Sequence, residues 1–125
     1  MTNENLSPDM AAQVLRYHPT EAQRALSTSA GPYKVCLLLK DGISTITWSA
    51  GTTGDYDWIG LYRMTSSDDK DYVTYQWAKY GPSYVTGTSI QAGFQARYLT
   101  WDKDSSQYKV VAKTDGFPNT QVCSS

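Results

Sequence analysis

The hydrophobic period of this chain changes once, near Tyr33, and that change constrains the fold more than any other feature. From Tyr33 onward, apolar and polar residues alternate in short runs, as strands with one buried face require. The runs are Tyr33 to Leu39, Ile43 to Ser49, Trp58 to Met64, Tyr72 to Lys79, Tyr84 to Thr88, Phe94 to Trp101 and Tyr108 to Thr114. Within them Val73, Tyr75 and Trp77 share one face, opposite Tyr72, Thr74 and Gln76, and Phe94, Ala96 and Tyr98 repeat the pattern. Turn-rich segments separate the runs: Ala50 to Asp57, Thr65 to Asp71, Tyr80-Gly81-Pro82-Ser83 and Asp102 to Ser106. Lys40-Asp41-Gly42 supplies a tight hairpin through its Asp-Gly pair. Seven short strands at this spacing predict an all-β fold, an immunoglobulin-like antiparallel β-sandwich over residues 32–125.

Residues 1–31 differ in kind and predict a helical extension. Ser7-Pro8-Asp9 reads as a helix start, with a capping hydroxyl, proline in the first turn and an acid at the positive end of the dipole. Met10, Ala11, Val14, Leu15 and His18 then recur at helical spacing until Pro19. Thr20-Glu21-Ala22-Gln23 has the spacing of a second short helix, carrying Ala22, Ala25 and Leu26, which Ser27-Thr28-Ser29-Ala30-Gly31-Pro32 ends. Met10, Val14, Leu15 and Leu26 are too apolar to leave in water. They are expected to dock either on the chain's own sandwich or on a second copy, which would make a two-fold homodimer.

Composition removes several function classes. The 125 residues suffice for one core, and 11 lysines and arginines nearly balance 12 aspartates and glutamates. No net field steers such a chain to nucleic acid or an anionic membrane. No apolar run reaches the roughly 20 residues of a bilayer span, and the N-terminus lacks the pattern of a signal peptide. A cytoplasmic protein, or one released without a classical leader, is therefore expected. Cys36 and Cys123 could pair, but free thiols are the expectation for a leaderless chain, with Cys36 a small buried hydrophobe between Val35 and Leu37.

Three blocks carry a family resemblance. Asp57-Trp58-Ile59-Gly60-Leu61-Tyr62-Arg63, then Asp71-Tyr72-Val73-Thr74-Tyr75-Gln76-Trp77-Ala78, and finally Gly93-Phe94-Gln95-Ala96-Arg97-Tyr98 resemble the motif series of SKICH-type domains. The likeness spans about Ile43 to Thr114. It implies an immunoglobulin-like sandwich and a non-enzymatic docking role, and it carries over no partner-binding residue. Family members often have tyrosine where this chain has Phe94, so this corner is expected to be held by packing.

No catalytic constellation is present in the sequence. The single histidine, His18, precedes a proline at a helix end, and no base accompanies a serine or cysteine nucleophile. Histidine and cysteine are too few for a transition-metal site, and no cofactor is expected. The loops carry Asp55, Asp57, Asp68, Asp69, Asp71, Asp102 and Asp104, which could offer oxygen ligands to Ca²⁺ and attach the chain to a membrane. Aspartate is also simply a good turn residue, and no EF-hand spacing occurs. The remaining signal is aromatic: ten tyrosines and four tryptophans beside two phenylalanines. Tyr56, Tyr72, Tyr80, Tyr84, Trp101 and Tyr108 fall in loops, at strand ends or opposite the inferred core. They are the expected ligand-binding residues, for a glycan, in a lectin-like role, or for a protein partner.

Overall fold

The structure is a computed structural model that describes residues 7–17, 32–51, 53–54, 56–102 and 104–118. One helix, α1 (Pro8–Tyr17), precedes seven strands: β1 (Lys34–Lys40), β2 (Ile43–Ser49), β3 (Trp58–Arg63), β4 (Thr74–Trp77), β5 (Ser83–Ser89), β6 (Phe94–Asp102) and β7 (Gln107–Lys113). They form two antiparallel sheets, ordered β1-β2-β5 and β4-β3-β6-β7. This is the immunoglobulin-like sandwich that the alternating pattern predicts.

Local chemistry accounts for the elements. Asp41 and Gly42 adopt positive φ values of 55° and 82°, the backbone of a tight hairpin, and register β1 on β2 from Lys34↔Ser49 to Lys40↔Ile43. The Tyr72 to Lys79 run is shorter than its pattern suggests. Only Thr74–Trp77 pairs as strand; the Ala78 N–H still reaches the Asp57 carbonyl at 2.9 Å in the same register, and a short 3-10 helix, Ala78–Tyr80, then ends the pairing. Gly81 then passes so close to the Trp48 indole that a β-carbon there would lie 1.8 Å from its Cζ2.

Between the sheets lie Val35, Leu37, Ile46, Trp48, Ile59, Leu61, Phe94, Ala96 and Tyr98, all buried. Burying each large apolar side chain contributes about 1.5–3 kcal/mol. Phe94 is inside this core, so packing holds its corner as expected. β6 keeps its alternation of faces, with Phe94, Ala96 and Tyr98 inward, but Phe94 to Trp101 are buried without interruption because the outer face of the four-stranded sheet is itself covered.

The cover is partly α1. Ser7 Oγ accepts the Met10 N–H at 3.2 Å, and the helix lies across that outer face with Pro8 and Ala11 fully buried. The described helix thus packs on the chain's own sandwich, with Ala11 of the expected stripe in the contact. Met10 is 50% exposed, and among the described residues Pro8, Ala11 and Ala12 are the buried or half-buried positions of the helix. Val14 and Leu15 lie within α1 but their side chains are outside the described residues, as are His18, Leu26 and the second expected helix.

Cys36 requires another correction. With Val35 and Leu37 pointing inward, Cys36 points outward from an edge strand and is half-buried. It is disulfide-bonded, not a free thiol; Cys123 lies outside the described residues. Free thiols therefore no longer support a reducing compartment. Among the described residues no helix is long and apolar enough to cross a membrane.

Candidate functional site

The residues of Asp57–Arg63 divide by strand parity into two jobs. Ile59 and Leu61 point into the core between the sheets, while Trp58, Gly60 and Tyr62 point out. Trp58 and Tyr62 lean toward each other over Gly60, where a β-carbon would lie 2.5 Å from Tyr62 Cε1 and 2.9 Å from Trp58 Cζ3. Only glycine leaves both rings this seat. Asp57 anchors the strand entrance: its Oδ2 accepts the Gly54 N–H at 2.9 Å and the buried Tyr98 hydroxyl at 3.0 Å.

Neighbouring strands add rings to the outward set. Trp58 pairs in register with Trp77 of β4 and Leu99 of β6, and Gly60 with Tyr75 and Arg97. Trp101 and Tyr108 face each other across β6 and β7, with ring centroids 5.2 Å apart. Trp58 meets Tyr72, Tyr75 and Tyr108 edge to face at 5.5, 6.3 and 5.6 Å. The result is a second apolar layer outside the sandwich. Two of its members, Trp58 and Trp77, have buried indole N–H groups with no acceptor among the described residues.

A loop and a turn rim this layer. The Tyr62 hydroxyl donates to the Asp69 carbonyl at 2.6 Å, and Arg97 Nη2 donates to the Ser66 carbonyl at 2.8 Å, pinning the Thr65 to Asp71 loop. The Arg97 guanidinium lies 4.3 Å from the centre of the Tyr62 ring and its Nε donates to Gln95 Oε1 at 2.8 Å. On the other side, Arg16 Nε of α1 donates to the Ser106 carbonyl in the β6–β7 turn at 3.2 Å. Between α1, this loop and the sheet opens a cleft of about 280 Å³ with Trp58 and Tyr108 among its lining residues.

Burial sets the electrostatics. It raises the Tyr62 and Tyr108 hydroxyls far above the ordinary tyrosine range, and nearby Asp69 and Asp57, respectively, push further the same way. Burial also raises the Asp69 carboxyl, against the pull of Arg97. Tyr72 is raised by burial and by Asp9 of α1. The Tyr62 and Tyr108 hydroxyls serve as hydrogen-bond donors and not as bases.

The six aromatics expected to bind ligand do not share one exposure. Tyr56, Tyr72 and Tyr108 are half-buried and join the outer layer. Tyr108 donates to the Tyr56 carbonyl at 2.9 Å. Trp101 is 3% exposed, beneath Ala12. Tyr84 lies apart, packed on the core between the sheets with its hydroxyl 2.8 Å from Thr74 Oγ1. Tyr80 is 49% exposed, with the Lys79 ammonium 5.5 Å from its ring centre. Sequence reasoning put Tyr75 and Trp77 on one face but did not join Trp58 and Tyr62 to them. The available signal was parity, since residues flanking the inward Ile59 and Leu61 must point out.

The acidic loops are engaged in local structure. Asp68 Oδ1 accepts the Lys70 N–H at 2.9 Å, and Asp102 accepts from the Asp104 N–H and the Ser105 hydroxyl at 3.2 and 2.9 Å. Among the described residues no three histidine, cysteine or acidic side chains cluster as metal ligands; Asp55 lies outside them. Every sheet edge carries a device against strand addition. β1 has Lys34 and Lys40 at its ends, β7 has Lys109 and Lys113, and β4 is four residues long. The β5 edge is broken by a register shift opposite Ile43 and Thr45 and by Gly87 at φ 75°.

Comparison with known proteins gives one match. The family model of the SKICH domain matches residues 45–115, more than half of the chain and a span that includes all three aromatic blocks. No curated protein and no solved structure is matched.

Proposed function

The chain belongs to the SKICH domain family, and from that premise we propose that it is a non-enzymatic module that docks a protein on the outer face of its four-stranded sheet. SKICH domains are non-catalytic interaction modules. The single observation that carries the choice of face is the aromatic layer outside the core, built on Trp58, Tyr62 and Trp77 and rimmed by the half-buried Tyr56, Tyr72, Tyr75 and Tyr108. A sandwich needs no rings there for its own closure. Aromatics with polar tips are the side chains enriched at protein interfaces. The blunted strand edges favour a face over strand addition as the mode of recognition.

A glycan is the other ligand such rings could serve. The rings here meet one another edge to face, and Trp101 lies under α1, which leaves little of the open ring surface on which a sugar stacks. Protein is therefore the preferred ligand class. The test is a selection of peptides from a random display library, run beside a broad glycan array, with Tyr72→Ser as control. Peptides that bind the parent chain and lose about tenfold or more in affinity for the folded variant support docking. Array binding without peptide binding would move the reading to a lectin, and silence in both would remove it.

A further inference from the structure

We propose that residues 119–123 form a strap over the outer face of the three-stranded sheet, locked by a disulfide between Cys36 and Cys123, and that a dithiol reductant opens it. This face lies on the opposite side of the sandwich from the aromatic layer, so its closure does not depend on docking there.

Burial on this face locates the cover. Ile46 and Trp48 of β2 point into the core, so Thr45 and Thr47 point out. Thr45 is nevertheless 6% exposed, and its hydroxyl oxygen is shut away from solvent with no hydrogen-bond partner among the described residues. Its register partner on β1, the outward Leu38, is half-buried, whereas its partner on β5, Val85, is 60% exposed. Thr45 is therefore shielded from the β1 side. Cys36 stands on that side and on the same face, opposite Thr47 and two residues before Leu38, half-buried and disulfide-bonded. The chain has two cysteines, so the partner of Cys36 within one chain is Cys123.

The described chain stops where this pairing needs it. The Ile90 N–H donates to the Gly42 carbonyl at 3.4 Å and the Gly93 N–H to the Phe117 carbonyl at 2.9 Å, which puts Phe117 at the hairpin end of β1. Cys36 is four residues back along the strand from Lys40, about 13 Å at roughly 3.3 Å per residue. The five residues from Pro118 to Cys123 reach at most about 17 Å. So little slack makes the connection run straight back beside Leu38, the flank from which Thr45 is shielded.

Opening moves two electrons and two protons from the dithiol to the two sulfurs. The dithiol leaves as its own disulfide, and Cys36 and Cys123 become thiols. A segment at the edge of a domain is poorly ordered unless tied down, so the freed strap exposes Leu38, Thr45 and Thr47.

The test uses the full chain. Iodoacetamide followed by intact mass measurement should modify no cysteine without dithiothreitol and both with it, and the chain should run as a monomer on a non-reducing gel. Side-chain methyl signals are then followed by nuclear magnetic resonance with a soluble gadolinium chelate, which broadens groups near solvent. The Leu38 and Thr45 methyl signals should broaden about threefold faster in Cys123→Ser and in the reduced parent than in the oxidised parent. Val85, exposed in every form, is the internal reference and should not change. Alkylation without reductant, a disulfide-linked dimer, or equal broadening of Leu38 and Thr45 in all three forms would each overturn the proposal. The last result would assign the shielding of Thr45 to Leu38 alone or to residues 18–31.

Discussion

Asp57 and Tyr98 tie the start of β3 to β6 through one buried hydrogen bond, and the strength of that tie can be measured. The Tyr98 hydroxyl donates to Asp57 Oδ2 at 3.0 Å, with both residues buried, and the same oxygen accepts the Gly54 N–H at 2.9 Å. Tyr98→Phe removes one bond to a charged acceptor, which costs about 2 kcal/mol. Asp57→Ala leaves two buried donors without a partner, at about 1–3 kcal/mol each, so about 3–4 kcal/mol in all. In the double variant the orphaned hydroxyl is gone and only the Gly54 N–H stays unpaired, so the loss should be about 2 kcal/mol. The coupling energy is then about 3–4 kcal/mol. Urea denaturation followed by fluorescence reads each value, since with a slope of about 1–3 kcal/mol per molar the Tyr98→Phe midpoint falls by roughly 1 M. The cycle cancels the other contacts of Asp57. Single effects that add to within about 0.5 kcal/mol would refute the reasoning and reassign the opening Asp of the motif to another role.

Other perturbations follow from the same geometry. Gly81→Ala drives a methyl group into the Trp48 indole and should cost about 1–3 kcal/mol, seen as a melting temperature lower by roughly 4 °C per kcal/mol; an unchanged melting curve would mean that the Trp48 packing is wrong. Tyr62, Tyr98 and Tyr108 have folded-state pKa values raised by burial above that of an unfolded tyrosine, so the stability tied to their protonated forms is complete below about pH 10 and is lost as pH rises beyond it. Absorbance titration should show these three ionising only together with unfolding, and three independent ionisations near pH 10 in the folded chain would contradict their burial. Asp69 is raised above 3.8 chiefly by burial, so the native state holds its proton more tightly and stability falls as pH rises through the window just above 3.8. Asp69→Asn keeps the backbone carbonyl that Tyr62 uses, and it should flatten that part of the stability curve without destabilising the chain at pH 7.

Strand positions were legible because a strand facing one core writes its parity into the sequence. Ile59 and Leu61, or Val35 and Leu37, announce an inward face whatever lies outside. The outer layer was not legible in the same way. Outward aromatics such as Trp101 and Tyr108 look like exposed ligand platforms until a helix is known to cover them, and Ala12 of α1, which packs there, carries little hydrophobic signal. The apolar Met10 drew attention to a part of the helix that faces solvent. Cys36 shows the same limit, since an apolar run suggests a buried thiol while strand parity turns that one residue outward. The Asp-Trp-Ile-Gly-Leu-Tyr block lies within the span that matches the family, and its residues are spent on packing and on the Asp57 and Tyr62 hydrogen bonds. That is why it reports fold more directly than partner.

The central claim is that a protein docks on the outer face of the four-stranded sheet, and nuclear magnetic resonance mapping of a library-selected peptide on the ¹⁵N-labelled chain tests it most directly. The four tryptophans give four indole N–H signals, assignable by single Trp→Phe variants. Peptide addition should shift the Trp58 and Trp77 indole signals and the backbone amides of Tyr72 to Trp77, and leave the buried Trp48 signal, bonded to the Ala78 carbonyl, unmoved. Shifts confined to the β5 edge or to the Asp41-Gly42 hairpin, with Trp58 and Trp77 silent, would contradict the account.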